Sequence, residues 1–265
     1  MTGWTLTFRD DAPAPGDGAW LAADRLGPLD EEALSAVEIR AGRGTHPLGE
    51  LFEIEGEPGD AVTVRNLPVL DRIGEQMAGG SLTIEGDAGD HLGASMAGGH
   101  ITVRGDAGFR VGGPAPGAPR GMTGGTIAVS GDAGEEAGCA QRRGTILICG
   151  QAGRAPGYRM IAGTLAIGTG RPETPGLAMR RGTLILLDPT HADTDPNLTA
   201  TIDSERSTAD WVAGRLVLQE LDRINPQPDS WAKRVARWRI LRADPHELNR
   251  GEIWQALAAT TASPA

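Results

Sequence analysis

The chain has 265 residues, a formal net charge of −10 and an isoelectric point near 5.0. The acidic balance argues against a nucleic-acid binder, because a phosphate backbone favours positive charge, and no apolar run is long enough for a membrane-spanning helix. Two cysteines, Cys139 and Cys149, give neither a disulfide framework nor a zinc pattern. The N-terminus lacks the layout of a signal peptide, so we expect a cytoplasmic protein.

Residues 1–48 are predicted to be a cap region. Within it, residues 4–8 are typical of a strand and residues 29–38 of a short helix. We expect this segment to cover the first strand of the domain that follows, because an open sheet edge needs cover.

A sequence motif returns along the middle of the chain. It reads MAGGSLTIEGDAGDHLG where it begins at Met77. The starts of its copies are Met77, Met96, Met122, Gln141, Met160 and Met179. All intervals between these starts are equal except the one from Met96 to Met122, which contains seven extra residues within the segment GPAPGAPRG at 113–121. A fixed period of about 20 residues indicates a solenoid. The strand pattern also appears at 61–65 in period and at 52–56 out of period, which predicts about seven repeats between residues 50 and 190.

Apolar residues alternate inside each repeat, as at Leu82 and Ile84 or Ile101 and Val103. Alternation with a period of two predicts short strands with one face inward. Such strands in equal register, with no room for crossover helices, predict a mainly β fold. We expect a right-handed parallel β-helix of about seven coils over residues 49–190, with the methionines as core filler.

Glycine and aspartate recur at fixed positions after each strand. We predict that the glycines form corners, where a positive φ favours glycine. These turn glycines are Gly86, Gly89, Gly93, Gly105, Gly108 and Gly112. Asp87, Asp106 and Asp132 lie in Gly-Asp-Ala-Gly, which favours capping of a turn over a calcium site, since the next repeat has Gln151 in this place.

Arginine is concentrated in the repeats. From Arg104 to Arg181, ten arginines accompany five acidic residues, so this segment carries about +5 in a chain of −10. Two interpretations stay open: solvated corners that form salt bridges to a partner subunit, or a face that binds an anionic ligand or an acidic chain. The candidate binding residues are Arg142, Arg143, Arg154, Arg159, Arg180 and Arg181. The pairs 142–143 and 180–181 share one repeat position, which places them about 10 Å apart.

No motif in the chain predicts a catalytic centre. There is no nucleophile elbow or phosphate-binding loop, and no two histidines have metal-ligand spacing. We therefore predict no catalytic residue, no metal site and no cofactor bound by this chain alone.

Residues 191–265 are predicted to be a polar linker and a helical extension. Residues 208–224 indicate one helix, and residues 230–242 a second, basic helix with Ser230 as its N-cap. Trp231, Val235 and Trp238 would share one face of the second helix. This face predicts docking on the repeats or on another subunit.

The repeat, Gly-Gly-x-Ile/Leu-x-Val/Ile-x-Gly-Asp-Ala-Gly-x-x-x-Gly with a methionine before each unit, resembles the GxGxG β-helix family. This family includes the C subunit of formylmethanofuran dehydrogenase and the C-terminal domain of the glutamate synthase large subunit. The stretch 48–54, LGELFEI, leads into the repeats in the manner of that C subunit.

The resemblance implies a non-catalytic subunit that joins catalytic subunits in one-carbon metabolism. The implied partners are an amidohydrolase-like catalytic subunit, a formyltransferase subunit and one further subunit, with a methanofuran-type carrier in the complex. The arginine-rich, lysine-poor composition favours the bacterial formyltransferase/hydrolase complex. A tungsten or molybdenum formylmethanofuran dehydrogenase and a glutamate-synthase-like protein remain alternatives. The carrier of this family has an acidic tail, which would give the arginines a ligand.

Overall fold

The protein is mainly β, with twelve of its fourteen described strands in one sheet. The structure is a computed structural model that describes residues 2–191, 201–227, 230–242 and 251–257. The strands are β1 (Gly3–Phe8), β2 (Glu38–Ala41), β3 (Gly44–Pro47), β4 (Phe52–Gly56), β5 (Ala61–Arg65), β6 (Ser81–Glu85), β7 (His100–Val103), β8 (Thr126–Val129), β9 (Thr145–Ile148), β10 (Thr164–Ile167), β11 (Thr183–Leu186), β12 (Thr201–Ser207), β13 (Arg237–Arg242) and β14 (Glu252–Leu257). The helices are α1 (Ala23–Leu26), α2 (Glu31–Ser35), α3 (Leu48–Leu51), α4 (Val212–Ile224) and α5 (Trp231–Arg234), with a 3-10 turn at Pro189–His191.

The seven repeat strands, β5 to β11, pair in parallel and in chain order. Equivalent residues are direct neighbours, so Leu82 lies between Val62 and Ile101. The predicted stacking of repeated short strands in one long parallel sheet is confirmed. Its two inward rows contain β-branched and leucine side chains, nearly all of them buried. The five methionines that start repeats are completely buried in the same core.

The N-terminal region closes one end of this sheet. β1 pairs in parallel with β5 and in antiparallel fashion with β4. β1 thus takes the place of a preceding repeat strand, and residues 52–56 are not part of the repeat ladder. Their strand pattern falls out of period because β4 runs in the opposite direction at the edge, where exposed Glu53 and Glu55 discourage further pairing.

The C-terminal region closes the other end with strands as well as helices. α4 lies within the predicted helix 208–224, but the predicted helix over 230–242 is wrong. Only α5 is helical there, and β13 follows it. Trp238 and Ile240 point the same way with a period of two, and β13 pairs with both β12 and β14, so strand pairing prevails over helix propensity. The division into three domains stays a prediction, and residues 192–200 of the predicted linker lie outside the described part of the chain.

β14 extends the parallel sheet by one strand. It pairs with β11 in register, and the N–H of Glu252 donates to the carbonyl of Gly182, as the first residue of a repeat strand does. Gly251 stands where a side chain would collide with Met179. A segment far along the chain from β11 thereby completes the end of the core.

Among the described residues, apolar cover of the outer face of the sheet is confined to its C-terminal half. The central outward residue is Thr63, Thr83 and Thr102 in β5 to β7, but it is buried and apolar from β8 onward. Leu147 and Ile185 contact a second hydrophobic cluster that includes Trp231 and Trp238. The two tryptophans therefore dock on the repeats, as one of the two predicted alternatives stated.

Candidate functional site

The seven extra residues form a loop inserted at a corner of the repeats. In an ordinary repeat the N–H of Met96 donates to the carbonyl of Gly93, three residues earlier. The equivalent bond joins Met122 to Gly112, ten residues earlier. The insertion is therefore the segment 114–120, which we name the insertion loop.

Ser95 fastens the insertion loop to the preceding repeat. Its hydroxyl accepts a hydrogen bond from the N–H of Ala115 at 3.0 Å and donates one to the carbonyl of Arg120 at 2.9 Å. Inside the loop, the N–H of Ala118 donates to the carbonyl of Ala115. Together with prolines at 114, 116 and 119, which fix φ, these bonds give the loop a defined shape.

The insertion loop overhangs the corners of the repeats that surround it and encloses a cavity of about 640 Å³. Part of the lining is the loop itself, residues 114–119. The rest is drawn from successive repeats. It consists of His91, Arg110, Cys139, Ala140, Tyr158, Arg159, Ile161 and Arg180. Three guanidinium groups and no carboxylate line this space, and its volume is in the range of small-molecule sites.

Two contacts hold the side chain of Arg110 in place at the cavity. Its Nε donates to a carboxylate oxygen of Glu136 at 2.7 Å, and its guanidinium lies 4.6 Å from the ring centroid of Phe109. The ring of His91 packs edge-on against the same phenylalanine, with centroids 5.7 Å apart. The His91 Nδ1 atom is buried and has no hydrogen-bond partner among the residues that the structure describes.

Arg159 and Arg180 differ from Arg110 because neither forms an ion pair in the described part of the chain. Both are exposed at the mouth of the cavity. The guanidinium of Arg159 lies 5.9 Å from the ring centroid of Tyr158, a weak cation–π contact. These two side chains are therefore available to an anion.

The other four predicted arginines lie outside the cavity lining. The N–H of Arg142 donates to Met122 and that of Arg180 to Met160, so the two residues occupy the same repeat position, separated by the repeat of Ile161. The side chains at 143, 154 and 181 are exposed, and that of Arg142 is half-buried with its Nε unpartnered. Within the described ranges, none of the six candidate arginines has a carboxylate partner.

Both cysteines are buried thiols. Burial raises the pKa of Cys139, an effect that the positive charges of Arg110 and Arg159 oppose and the negative charge of Glu136 reinforces. Burial raises the pKa of Cys149 to about 12, and its thiol donates to the Oδ1 of Asn225. Neither environment is that of a nucleophilic cysteine.

The aspartate row links one repeat to the next. The carboxylate of Asp87 accepts a hydrogen bond from the N–H of Asp106 at 2.8 Å, Asp106 accepts from Asp132 at 2.8 Å, and Asp132 accepts from Gln151 at 2.7 Å. Among the described residues, no group of three or more His, Cys, Asp or Glu side chains is placed to hold a metal ion. The row supplies backbone partners between repeats.

The six turn glycines serve two physical needs. Gly93 and Gly112 have φ values of +61° and +65°, and Gly86 also has a positive φ. Gly89, Gly105 and Gly108 do not. A Cβ atom at these three would instead collide with the carboxylate of Asp71, Asp87 or Asp90 in the preceding repeat.

Comparison with known proteins identifies the family. A chain in the crystal structure of the formyltransferase/hydrolase complex (FhcABCD) from Methylorubrum extorquens, solved with methylofuran, is 32% identical to this chain with a TM-score of 0.75. The match covers 95% of this chain and 99% of that one. The chain belongs to the C-subunit family of formylmethanofuran dehydrogenases.

Curated members of this C-subunit family match over a shorter region. The C subunits of two tungsten-containing formylmethanofuran dehydrogenases 2 from Methanococcus maripaludis are 30% identical over 87 residues. This region spans 32% of this chain and 32% of each relative. No family model matches the chain. Among the described residues, no helix of this C-subunit homologue is long and apolar enough to cross a membrane.

The sequence of this C-subunit homologue signalled part of its cavity. The long interval between Met96 and Met122 marked the insertion loop, and Arg159 and Arg180 were among the candidates. His91, Arg110 and Tyr158 were missed, although all three occupy corner positions within the repeats that surround the interruption. Their corner positions next to the insertion were the sequence feature that could have identified them.

Proposed function

We propose that this chain is the non-catalytic C subunit of a bacterial formyltransferase/hydrolase complex. The observation that carries the proposal is the near-complete match, in both directions, to one chain of such a complex. In this role the complex converts formyl-tetrahydromethanopterin to formate through a methanofuran-type carrier, as part of cytoplasmic formaldehyde oxidation in methylotrophic metabolism. The chain's contribution is to hold the catalytic subunits in a fixed arrangement.

A scaffold role is consistent with the proposed winding of the repeats as a right-handed parallel β-helix. Two features support this winding besides the long sheet. Ala88, Ala107, Ala133 and Ala152 form a second column of parallel bridges. At the corners, backbone hydrogen bonds join consecutive repeats, as from the N–H of His91 to the carbonyl of Phe109. A rod of this kind, with seven strands about 4.8 Å apart, spans about 30 Å and resists bending because every repeat is bonded to its neighbours.

The proposed partners are an amidohydrolase-like catalytic subunit, a formyltransferase subunit and one further subunit. The outer face of β5 to β7 is a candidate surface for these partner subunits. It presents Thr63, Thr83 and Thr102, which are half-buried and polar, where the later strands have buried apolar residues. Purification of the tagged chain from its native cells, followed by mass spectrometry of the intact assembly, tests the proposal. A formyltransferase and an amidohydrolase-like subunit in constant ratio are expected.

The proposed function includes a contact between the arginines and the acidic tail of the carrier. Arg142, Arg143, Arg180 and Arg181 form one edge of the repeats, with Arg154 and Arg159 nearby in the chain. Their lack of carboxylate partners within the described ranges supports this contact. Charge reversal of the four edge residues to glutamate should weaken carrier retention by the purified complex at least about tenfold. Unchanged retention and unchanged assembly would show that this edge has no such role.

A formylmethanofuran dehydrogenase remains the second candidate, because the two curated relatives are subunits of that enzyme. Their match extends over only about a third of the chain, whereas the match to the hydrolase complex extends over nearly all of it. Tungsten or molybdenum in the purified assembly would favour the dehydrogenase.

A further inference from the structure

We propose that the cavity beneath the insertion loop is a binding site for a small organic anion, with a carboxylate or phosphate group on the arginines and an apolar body against the loop. The site lies within this one chain, so it does not rest on the proposed complex. It shares Arg180 with the edge proposed to contact the carrier, whereas Arg142, Arg143 and Arg181 do not line the cavity.

The charge of the lining calls for an anion. Arg110, Arg159 and Arg180 line the cavity, and Glu136 neutralises only the first of them, from outside the lining. Two arginines that line this concave space, Arg159 and Arg180, thus have no carboxylate partner in the described part of the chain. Repulsion between like charges in a partly desolvated space is unfavourable, and a bound anion relieves it. Carboxylate and phosphate groups both match the planar donors of arginine.

Three of the lining residues lie at corners of the repeats. His91, Arg110 and Arg159 all have left-handed backbone conformations, with φ values of +60°, +58° and +53°. Glycine would adopt this conformation at lower free energy. The same conformation recurs at equivalent corners of other repeats, as at Ala140, Ala155 and Ala178, so it belongs to the geometry of the repeat. Arg110 forms an ion pair with Glu136, whereas the guanidinium of Arg159 has only the distant face of Tyr158 as a partner within the described ranges.

The insertion loop determines what else the ligand carries. Residues 114–119 are Pro-Ala-Pro-Gly-Ala-Pro, which have no charged or hydroxyl side chain, and the three prolines lack an N–H donor. The side chains that the loop contributes to the lining are therefore apolar. At roughly 30 Å³ per water-sized group, a cavity of about 640 Å³ holds about 20 non-hydrogen atoms. Bare inorganic phosphate would leave most of this space empty.

Calorimetric titration of the purified full chain tests the site. The probes are glutarate and phenyl phosphate, with inorganic phosphate as the anion without a body and glutaramide as the neutral control. Saturable binding of glutarate or phenyl phosphate is expected, and whichever binds more tightly identifies a carboxylate or a phosphate ligand. The absence of binding by either probe at millimolar concentration overturns the proposal. Equal affinity for inorganic phosphate overturns the role of the loop.

Single arginine variants separate the site from general charge attraction. Arg159→Ala and Arg180→Ala should each weaken binding about tenfold. Arg154→Ala removes an exposed arginine from a neighbouring part of the same repeat but outside the lining, and should leave binding unchanged. An equal loss in all three variants contradicts the proposal. Arg159→Gly should lose binding while the melting temperature stays constant or rises, whereas a structural role for Arg159 requires a fall.

Removal of the insertion loop tests the apolar part of the lining. Deletion of residues 114–120 leaves Gly112 three positions before Met122, the spacing of Gly93 and Met96. The variant should therefore fold with an unchanged circular dichroism spectrum and lose the binding of the organic anions. If a folded deletion variant still binds the organic anions, the insertion loop does not contact the apolar body of the ligand. Co-purification of partner subunits is measured separately, so failure of this site and failure of the proposed complex are distinguishable.

Discussion

Gln141 interrupts the methionine row, and its replacement by methionine should stabilise the protein. Its side chain is completely buried, as are those of Met122 and Met160 at the equivalent positions of the adjacent repeats. Its Nε2 donates to the carbonyl of Gly144 at 2.9 Å and, over longer distances, to those of Thr164 at 3.3 Å and Arg143 at 3.4 Å, but its Oε1 is buried without a partner among the described residues. The amide therefore satisfies only part of its hydrogen-bonding capacity inside an apolar core.

The magnitude follows from these contacts. An unsatisfied buried acceptor costs about 1–3 kcal/mol, whereas the bond to Gly144, the shortest of the three that would be lost, contributes about 0.5–1.5 kcal/mol. The carbonyl of Gly144 also accepts a bond from the N–H of Thr164 at 3.0 Å, so it would not be left unpaired. Gln141→Met has nearly the same volume, and we expect the free energy of unfolding to rise by about 1 kcal/mol.

Equilibrium urea unfolding at constant m-value measures the change, with a rise in melting temperature of about 2–4 °C as a second readout. Met160→Gln is the matched control. It places a second amide in the same row and should lower the free energy of unfolding by about 2 kcal/mol. A loss of stability of more than about 1 kcal/mol in Gln141→Met would refute the reasoning, since it would mean that the amide holds the repeats together.

Three further predictions concern other parts of the fold. Burial raises the pKa of Cys149 from 9.0 to about 12, so the folded state retains the thiol proton and the free energy of unfolding should fall as the pH rises from 9 towards 12. Urea unfolding at pH 8 and pH 10.5 measures this fall, which should be smaller in Cys149→Ala. Trp238 is completely buried between the sheet and α4, so Trp238→Ala should lower the free energy of unfolding by about 3–5 kcal/mol, whereas the half-buried Trp20 should matter less. Asp106→Ala should cost about 1 kcal/mol by freeing the N–H of Asp132, and Asp106→Asn, which keeps an acceptor, should cost less.

The repeats could be predicted from the sequence because each strand lies against its own counterpart. Leu82 pairs with Ile101, the residue at the same position of the next repeat. The fixed period of the sequence therefore predicts both the strand conformation and the residue that lies beside it in the sheet. The corner glycines and the row of aspartates follow from the same regularity. For this reason the parallel sheet, the buried methionines and the position of the insertion were accessible without a structure.

The ends of the sheet were less accessible because their contacts are not periodic. Residues 52–56 resemble a repeat strand, but pairing with β1 reverses their direction. The segment 230–242 has a helical pattern of apolar residues, yet β12 and β14 on either side make most of it a strand. One local signal for this cover was present, namely the change from Thr102 to Ala128 and Leu147 along the outward row, which marks where the sheet becomes covered.

The candidate site could be predicted from the sequence only in part. The long interval between Met96 and Met122 marked the insertion loop, but composition alone could not distinguish Arg159, which lines the cavity, from Arg154, which does not. That distinction depends on which corner positions the loop overhangs. It is a three-dimensional property, set by the hydrogen bonds from Ser95 to the two ends of the loop.

Intact-mass analysis of the assembly purified with the native, tagged chain is the direct test of the proposed C-subunit role. We expect a stable hetero-oligomer that contains this chain, a formyltransferase subunit and an amidohydrolase-like subunit in fixed ratio. Isolation of the chain with a flavin-containing synthase instead, or as a free monomer under conditions that preserve other complexes of the same cells, would contradict it.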